Sequence, residues 1–150
     1  MTAETESIVV VDTSAAVAVL LGEPGSDEVI EHLECAAVRL MSAATRVELG
    51  IVIEARLGPA GSDTVARFLR DADIEIVEVD SEDADRAVSG WRRYGKGRHR
   101  AGLNFGDCFS YALAERTGHP VLCTGEDFAA TDLDVIRPRE TPQQADGAEA

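Results

Sequence analysis

The sequence predicts an α/β protein, built as a three-layer α/β/α sandwich around a central, mostly parallel sheet. Two observations carry this prediction. Short apolar runs of strand length alternate with longer segments whose apolar residues recur at helical spacing. Turn-forming residues separate the two kinds of segment, as in repeated strand–helix units. The 150 residues are 45% hydrophobic, which is enough to bury the core of one domain.

The first half of the chain predicts two strands and four helices. Ile8–Val11 is wholly apolar, as is typical of a strand buried on both faces, and Ser14 is expected to cap the next helix. After the second strand, Ser42 or Thr45 is expected to start a long helix that ends near Gly58. The predicted ranges are strands 8–11 and 38–41, and helices 14–21, 26–35, 43–57 and 61–72.

The second half predicts three strands and two helices. Residues 74–79 alternate apolar and acidic side chains, which favours an edge strand, and Ser81 is expected to cap the helix after it. A basic loop over 95–102 leads to a helix over 104–117, and strands 120–123 and 133–137 follow. Residues 8–137 therefore form the predicted domain, and the tails 1–7 and 138–150 are predicted to be disordered.

The charge of the chain is strongly acidic but unevenly spread. It carries 28 acidic and 14 basic residues, a net charge of −14, which excludes a general binder of nucleic acid. Residues 86–116 hold 7 of the basic residues and 2 acids, a local charge of +5, and the remainder of the chain carries −19. An acidic body with one basic strip can bind a polyanion locally, or offer its acidic surface to a basic partner.

Cysteine usage and hydropathy predict a cytoplasmic protein without a membrane segment. Cys35, Cys108 and Cys123 lack paired spacing and lie in apolar patterns, so we expect three small buried thiols in a reducing compartment. The apolar stretch 8–21 has acidic flanks, is interrupted by Asp12 and is too short to span a bilayer.

Acidic residues in apolar or turn-forming context are the most informative feature of this sequence. Asp12 ends the first strand, Asp107 lies near a helix start and Asp127 follows the strand 120–123. Glu48 interrupts a helical face that it shares with apolar Ala44, Ile51, Val52 and Ala55. A buried carboxylate is costly unless a cation compensates it, and parallel sheets gather their sites at the carboxyl ends of strands. These acids therefore predict one converging pocket for a divalent metal.

Each acid also has an ordinary structural explanation. Asp12 can simply cap the following helix, and Asp107 can be an acid that suits a helix N-terminus. Glu48 can be a buried acid paired with Arg56 or Arg100. Asp127 can be a turn residue, with Glu126 in its place.

Four segments, in order, resemble the motifs of the PIN-domain ribonucleases, particularly the VapC toxins of type II toxin–antitoxin (VapBC) systems. They are Val10–Ala15, Ser42–Leu49, Gly102–Ala114 and Thr124–Phe128, and the resemblance covers roughly residues 8–137. It implies a PIN-like fold with Asp12, Glu48, Asp107 and Asp127 as the active-site acids. The fourth segment is one residue shorter than in many members, which leaves Asp127 or Glu126 as its acid; we favour Asp127, because it directly precedes Phe128.

The resemblance implies metal-dependent cleavage of structured RNA, such as tRNA or ribosomal RNA. Asp12 and Asp107 are expected to hold the main Mg²⁺ ion, with Mn²⁺ able to substitute, because carboxylates are hard oxygen ligands. Glu48 and Asp127 would complete the cluster through waters or a second ion, and Thr13 or Ser14 would orient a water or a carboxylate. The resemblance further implies a homodimer and a hetero-oligomer with a VapB-type antitoxin that often covers the active site.

The basic strip before Asp107 is predicted to bind RNA phosphates. Its cations are Arg92, Arg93, Lys96, Arg98 and Arg100, and Tyr94 lies among them as a ring on which a base can stack. The alternative is a solvated loop that balances an acidic surface. His99 as a general base is unnecessary if a metal activates the water.

Two other functions stay open at this point. A catalytically silent PIN-like module would bind RNA or protein without cutting, although such a module is expected to have lost one of the acids. A phosphohydrolase would use Asp12 as its nucleophile, but the haloacid-dehalogenase pattern places a second Asp where this chain has Ser14.

Overall fold

The computed structural model of the chain describes residues 6–139, which form a sheet of five strands enclosed by helices. The strands are Ile8–Val11 (β1), Val38–Ser42 (β2), Ile74–Val77 (β3), Val121–Leu122 (β4) and Val135–Ile136 (β5). Their order is β3-β2-β1-β4-β5, and every neighbouring pair is parallel. The prediction of a mostly parallel sheet with residues 74–79 at its edge is confirmed.

Six α-helices and one short 3-10 helix accompany the sheet within residues 6–139, and they cover both of its faces. Helices α1 to α4 pack on one face around Val9 and Val11, while α5 and α6 pack on the other around Val10. The predicted three-layer sandwich is therefore confirmed. The helices are Thr13–Leu21 (α1), Ser26–Cys35 (α2), Ala43–Leu57 (α3), Gly61–Asp71 (α4), Ser81–Tyr94 (α5) and Phe105–Thr117 (α6), and the 3-10 helix is Phe128–Ala130.

Of the two caps considered for α1, Asp12 is the one that the structure shows and Ser14 is not. The predicted cap of α5 is wrong, because Asp80 rather than Ser81 caps that helix. In both cases the aspartate precedes the serine with an extended backbone, and its carboxylate accepts a hydrogen bond from an N–H in the first turn, at 3.1 Å and 2.8 Å respectively. Of the two starts predicted for α3, Ser42 is the one that caps it.

The face of α3 assigned to Glu48 is also wrong. Ile51 is 64% exposed and Ala55 is exposed, so they do not form the inward side of the helix. The physical reason is that α3 has two apolar faces, of which only one meets the sheet. The buried line consists of Thr45, Leu49 and Ile53, and Glu48 lies at its border.

Two of the three cysteines are buried as expected, but Cys35 is exposed. It is the last residue of α2, beyond the buried positions of that helix. At the ends of the described chain, the Ser7 hydroxyl donates to the Cys35 carbonyl and the Arg139 N–H donates to Glu28. The other residues of the predicted tails, 1–5 and 140–150, lie outside the described residues. No helix within 6–139 is long and apolar enough to cross a membrane.

Candidate active site

The carboxyl edge of the sheet gathers the four predicted acids from four separate elements. Asp12 follows β1, Glu48 lies in the second turn of α3, Asp107 lies in the first turn of α6 and Asp127 lies in the loop after β4. Burial raises the pKa of Asp107 to about 7, against a hydrogen bond from Asn104 that lowers it, and the charges of Asp12, Asp127 and Glu48 raise it further. Asp12, Glu48 and Asp127 are therefore all close enough to Asp107 for their charges to act on it.

Asp12 is held in one orientation by serine hydroxyls. Its side chain is buried, its Oδ2 accepts from Ser14 Oγ at 2.8 Å and its Oδ1 accepts from Ser110 Oγ at 2.6 Å. The Ser14 hydroxyl also accepts from the Thr124 N–H at 3.0 Å, which ties the loop after β4 to this carboxylate. Asp12 therefore both caps α1 and presents a fixed carboxylate to the cluster.

Glu48 is held by a threonine and has no basic partner in the described part of the chain. Thr13 Oγ1 donates to Glu48 Oε1 at 2.5 Å. The carboxylate packs against the α carbon of Gly106, so close that a side chain at that position would collide with it. The alternative of a buried pair with Arg56 or Arg100 is absent from residues 6–139.

Asp107 takes part in a reciprocal capping box at the start of α6. Its N–H donates to Asn104 Oδ1 at 2.9 Å, and its Oδ2 accepts from the Asn104 N–H at 3.1 Å. The side chain is only 9% exposed. Asp107 therefore does act as an acid at a helix N-terminus, and the same hydrogen bonds fix its carboxylate beside the other acids.

The loop after β4 is anchored by Phe128, which is buried as expected. Asp127 makes no capping hydrogen bond, and its charge acts on both Asp107 and Cys123. Burial raises the pKa of the Cys123 thiol to about 12, and the charge of Asp12 is the next largest cause. Of the two candidates for the fourth acid, Asp127 is the one whose charge acts on Asp107 and Cys123.

The donor set fits a hard divalent cation held largely through water. Among residues 6–139, none of the four acids forms an ion pair with a basic side chain, so a bound cation would compensate their charge. As these side chains stand, no three acidic, histidine or cysteine groups of the described chain form a ready ligand set. Mg²⁺ commonly binds through one or two carboxylates and keeps several waters. Asp12 and Asp107 are both buried, and they are the two carboxylates that would hold such an ion.

All five cations of the predicted basic strip are exposed, and two of them also contact other residues of the protein. Arg93 donates to the Tyr111 hydroxyl at 3.2 Å and pairs with Asp132 at 3.4 Å. Arg98 stacks on the Trp91 ring with its guanidinium carbon 4.8 Å from the ring centroid. The half-buried Tyr94 ring packs edge-on against His99, with centroids 5.1 Å apart. Arg92, Lys96 and Arg100 are exposed.

Arg100 is the cation of the strip that lies beside the acid cluster. It lines a cavity of about 430 Å³ together with Glu126, Asp127 and Arg137. The sequence reasoning missed Arg137, because its position depends on β5 pairing with β4.

Ser110, Asn104 and Gly106 were also missed as parts of the site, although the sequence carries signals for them. Ser110 lies one turn after Asp107 and so shares its helical face. Asn104 and Asp107 have the spacing of a capping box. Gly106 is a glycine inside the first turn of a helix, where it lowers helix stability unless close packing requires it.

Comparison with known proteins identifies the family of this chain. Residues 9–133 match the family model described as the PIN domain. The VapC ribonuclease Mb0640 of Mycobacterium bovis is 47% identical over 127 residues, which cover 85% of this chain and 97% of that protein.

Solved structures share the fold at lower sequence identity. VapC20 of Mycobacterium tuberculosis, described as a toxin that cleaves the sarcin–ricin loop, has a TM-score of 0.72 at 19% identity, over 87% of this chain and 99% of that one. A chain of a toxin–antitoxin complex from Klebsiella pneumoniae has a TM-score of 0.66 at 18% identity, over 89% and 99% of the two chains. The family match over most of the sequence and the near-half identity to a full-length relative show that this chain belongs to the PIN-domain family, among the VapC-type proteins.

Proposed function

We propose that this chain is a metal-dependent endoribonuclease that acts as the toxin of a toxin–antitoxin pair in the cytoplasm. One observation carries the proposal: four carboxylates from four elements meet at the carboxyl edge of the sheet, and no described basic side chain pairs with them. The ribonuclease name of the 47% identical relative supports RNA as the substrate. The proposed targets are structured RNAs such as tRNA or ribosomal RNA.

The acids divide into two roles in this proposal. Asp12 and Asp107 would hold the principal Mg²⁺ ion, for which Mn²⁺ can substitute, and Glu48 and Asp127 would complete the site through waters or a second ion. When bound, the cation supplies positive charge that offsets the charge developing on the phosphoryl oxygens, and it acidifies water. The hydroxyl and backbone donors around Asp12, Glu48 and Asp107 hold these carboxylates in place before substrate arrives.

An antitoxin of the VapB type is the proposed protein partner. The chain carries a net charge of −14, and its acid cluster opens at one edge of the sheet. A partner segment rich in Arg or Lys would complement this charge and would cover the site that RNA needs.

A homodimer is the proposed assembly, through an apolar face formed by Val47, Ile51, Val88, Trp91 and Phe105. Phe105 is 81% exposed, and the other four are also among the exposed large hydrophobic residues. Val88, Trp91 and Phe105 line one cavity of about 660 Å³ between α5 and the start of α6, and α3, which carries Val47 and Ile51, also packs against α6. Large exposed apolar faces of this kind mark interaction surfaces.

Cleavage of end-labelled tRNA and ribosomal RNA tests the nuclease. We expect discrete cuts with Mg²⁺ or Mn²⁺, none with EDTA and none by the Asp107→Asn variant. Asp85→Asn is the matched control, because Asp85 is exposed on α5 and lies outside the cluster. Equal cutting by Asp107→Asn and the wild type, or cutting that survives EDTA, would contradict the proposal.

A further inference from the structure

We infer that the cavity between Arg100 and Arg137 is a nucleotide subsite, in which these two arginines bind the RNA phosphate next to the one that is cut. The inference rests on the proposed ribonuclease function and adds Arg137 to the residues that contact substrate. The cavity has a volume of about 430 Å³ and shares Asp127 with the acid cluster.

Arg137 is built into the carboxyl edge of the sheet. It directly follows β5, which runs parallel to β4, so it emerges beside the loop that carries Asp127. Its Nη1 donates to the Gly125 carbonyl at 3.1 Å. This bond fixes the guanidinium against the loop, and its remaining N–H groups form no other hydrogen bond or ion pair within residues 6–139.

Arg100 approaches the same cavity from the loop between α5 and α6. The next residue, Ala101, is 4% exposed, and its N–H donates to His99 Nδ1 at 3.0 Å. The loop is therefore anchored at the point where Arg100 leaves it. The Arg100 side chain is exposed and has no ion pair among the described residues, unlike Arg86, Arg93 and Arg116.

The chemistry of the lining suits one nucleotide of a single strand. Two unpaired guanidinium groups can bind a phosphodiester through parallel N–H donors. Ala101, Ala129 and Ala130 line the same cavity and provide an apolar surface for a ribose or a base. Such a nucleotide must be unpaired to enter, which favours loops of structured RNA over duplex. Glu126 and Asp127 also line the cavity and offset the charges of the two arginines, so a singly charged phosphodiester fits better than a more highly charged phosphate ester.

Binding is measured apart from cleavage, by fluorescence anisotropy of a labelled single-stranded RNA with Ca²⁺ in place of Mg²⁺. Arg100→Gln and Arg137→Gln are each expected to raise Kd roughly tenfold and to reduce the salt slope by about 0.7. In the double variant, Kd is expected to rise by less than the product of the two single increases, because both arginines bind the same phosphate. Arg137→Lys should recover part of the affinity by keeping the charge.

Arg70→Gln is the matched control, because this exposed arginine ends α4, just before the start of β3 at the opposite edge of the sheet. It should leave Kd unchanged. Arg100→Gln decides the matter if Arg137→Gln loses its fold, since no described residue depends on the Arg100 side chain. Wild-type affinity in Arg100→Gln would overturn the subsite even if the enzyme cuts RNA. Arginine-dependent binding without any cutting in Mg²⁺ would instead uphold the subsite and overturn the nuclease.

Discussion

At the scale of single residues, Asp12 and Asp107 each stabilise a helix start while they stand in the acid cluster. Asp12 caps α1, and Asp107 closes the capping box of α6 with Asn104. These bonds offset only part of the cost of burying Asp107, because burial and three neighbouring carboxylates still raise its pKa to about 7. Without a bound cation, Asp107 is therefore a source of instability at neutral pH.

Replacing Asp107 by Asn should stabilise the metal-free protein in a pH-dependent way. The folded-state pKa lies above the ordinary value of 3.8, so the folded protein holds the proton more tightly than the unfolded chain. As the pH rises from about 4 to about 7, Asp107 loses its proton in the unfolded chain but keeps it in the folded protein, so the wild type becomes less stable. Asn cannot ionise, so the variant does not undergo this loss of stability. In EDTA we expect the two proteins to have similar melting temperatures at pH 4. Above pH 7, the free energy of unfolding of the variant should exceed that of the wild type by on the order of 2 kcal/mol.

Thermal melts of both proteins over this pH range check the prediction. Asp85→Asn should show no comparable trend, because Asp85 is exposed and lies outside the cluster. Mg²⁺ should reduce the difference in melting temperature between the wild type and Asp107→Asn, because it stabilises only the protein that binds it. If the difference in melting temperature between the wild type and Asp107→Asn does not change with pH, protonation of Asp107 is not linked to folding.

At the scale of elements, the site depends on how closely α3 and α6 approach. Gly106 lets the Glu48 carboxylate lie against the backbone of α6. In Gly106→Ala the new methyl group should push the flexible Glu48 side chain away and break its bond from Thr13. We expect RNA cleavage to fall roughly tenfold to a hundredfold, while the melting temperature holds or rises because Ala favours a helix.

Gly50→Ala is the matched control for this pair of helices. It makes the same change on α3, where the nearest atom to the new methyl group is the end of the Arg46 side chain. Its cleavage rate should equal that of the wild type. The activity is measured as initial cleavage rates on the same RNA. Full activity in Gly106→Ala would show that cleavage does not require Glu48 at its observed position.

The order of strands and helices could be predicted because hydrophobic patterns are local: β1 is a continuous apolar run, and the apolar residues of α4 and α5 lie on one side of each helix. The convergence of the acids followed, because parallel strands place their carboxyl ends at one edge. Caps were harder, since Asp12 and Ser14 are both good caps and only the backbone conformation separates them. The outward side of α3 was misassigned because apolar residues there mimic a core face. Arg137 joins the site only through strand pairing, which no local pattern reveals.

At the scale of the whole molecule, the main exposed apolar surface lies close to the acids of the site. The acids lie at the carboxyl edge of the sheet, and six of the eight exposed large hydrophobic residues in the described chain lie on α3, α5 and the start of α6. Phe105 connects the two regions, because it is the first residue of the helix that carries Asp107. A homodimer formed through this face would therefore bring a second copy close to each active site.

The variant Phe105→Glu tests this assembly. Phe105 is 81% exposed and contacts the Phe109 ring with centroids 5.0 Å apart, so its replacement should leave the fold of one subunit intact. In a dimer the new carboxylate would be buried against apolar surface, and we expect dissociation to become at least about tenfold more favourable. Sedimentation equilibrium over a range of concentrations measures the dissociation constant of the dimer.

Ile76→Glu, at an exposed apolar position on the edge strand β3, is the control and should keep the wild-type mass. A wild type that sediments as a monomer, or a Phe105→Glu variant that dimerises as tightly as the wild type, would show that this face does not join two copies.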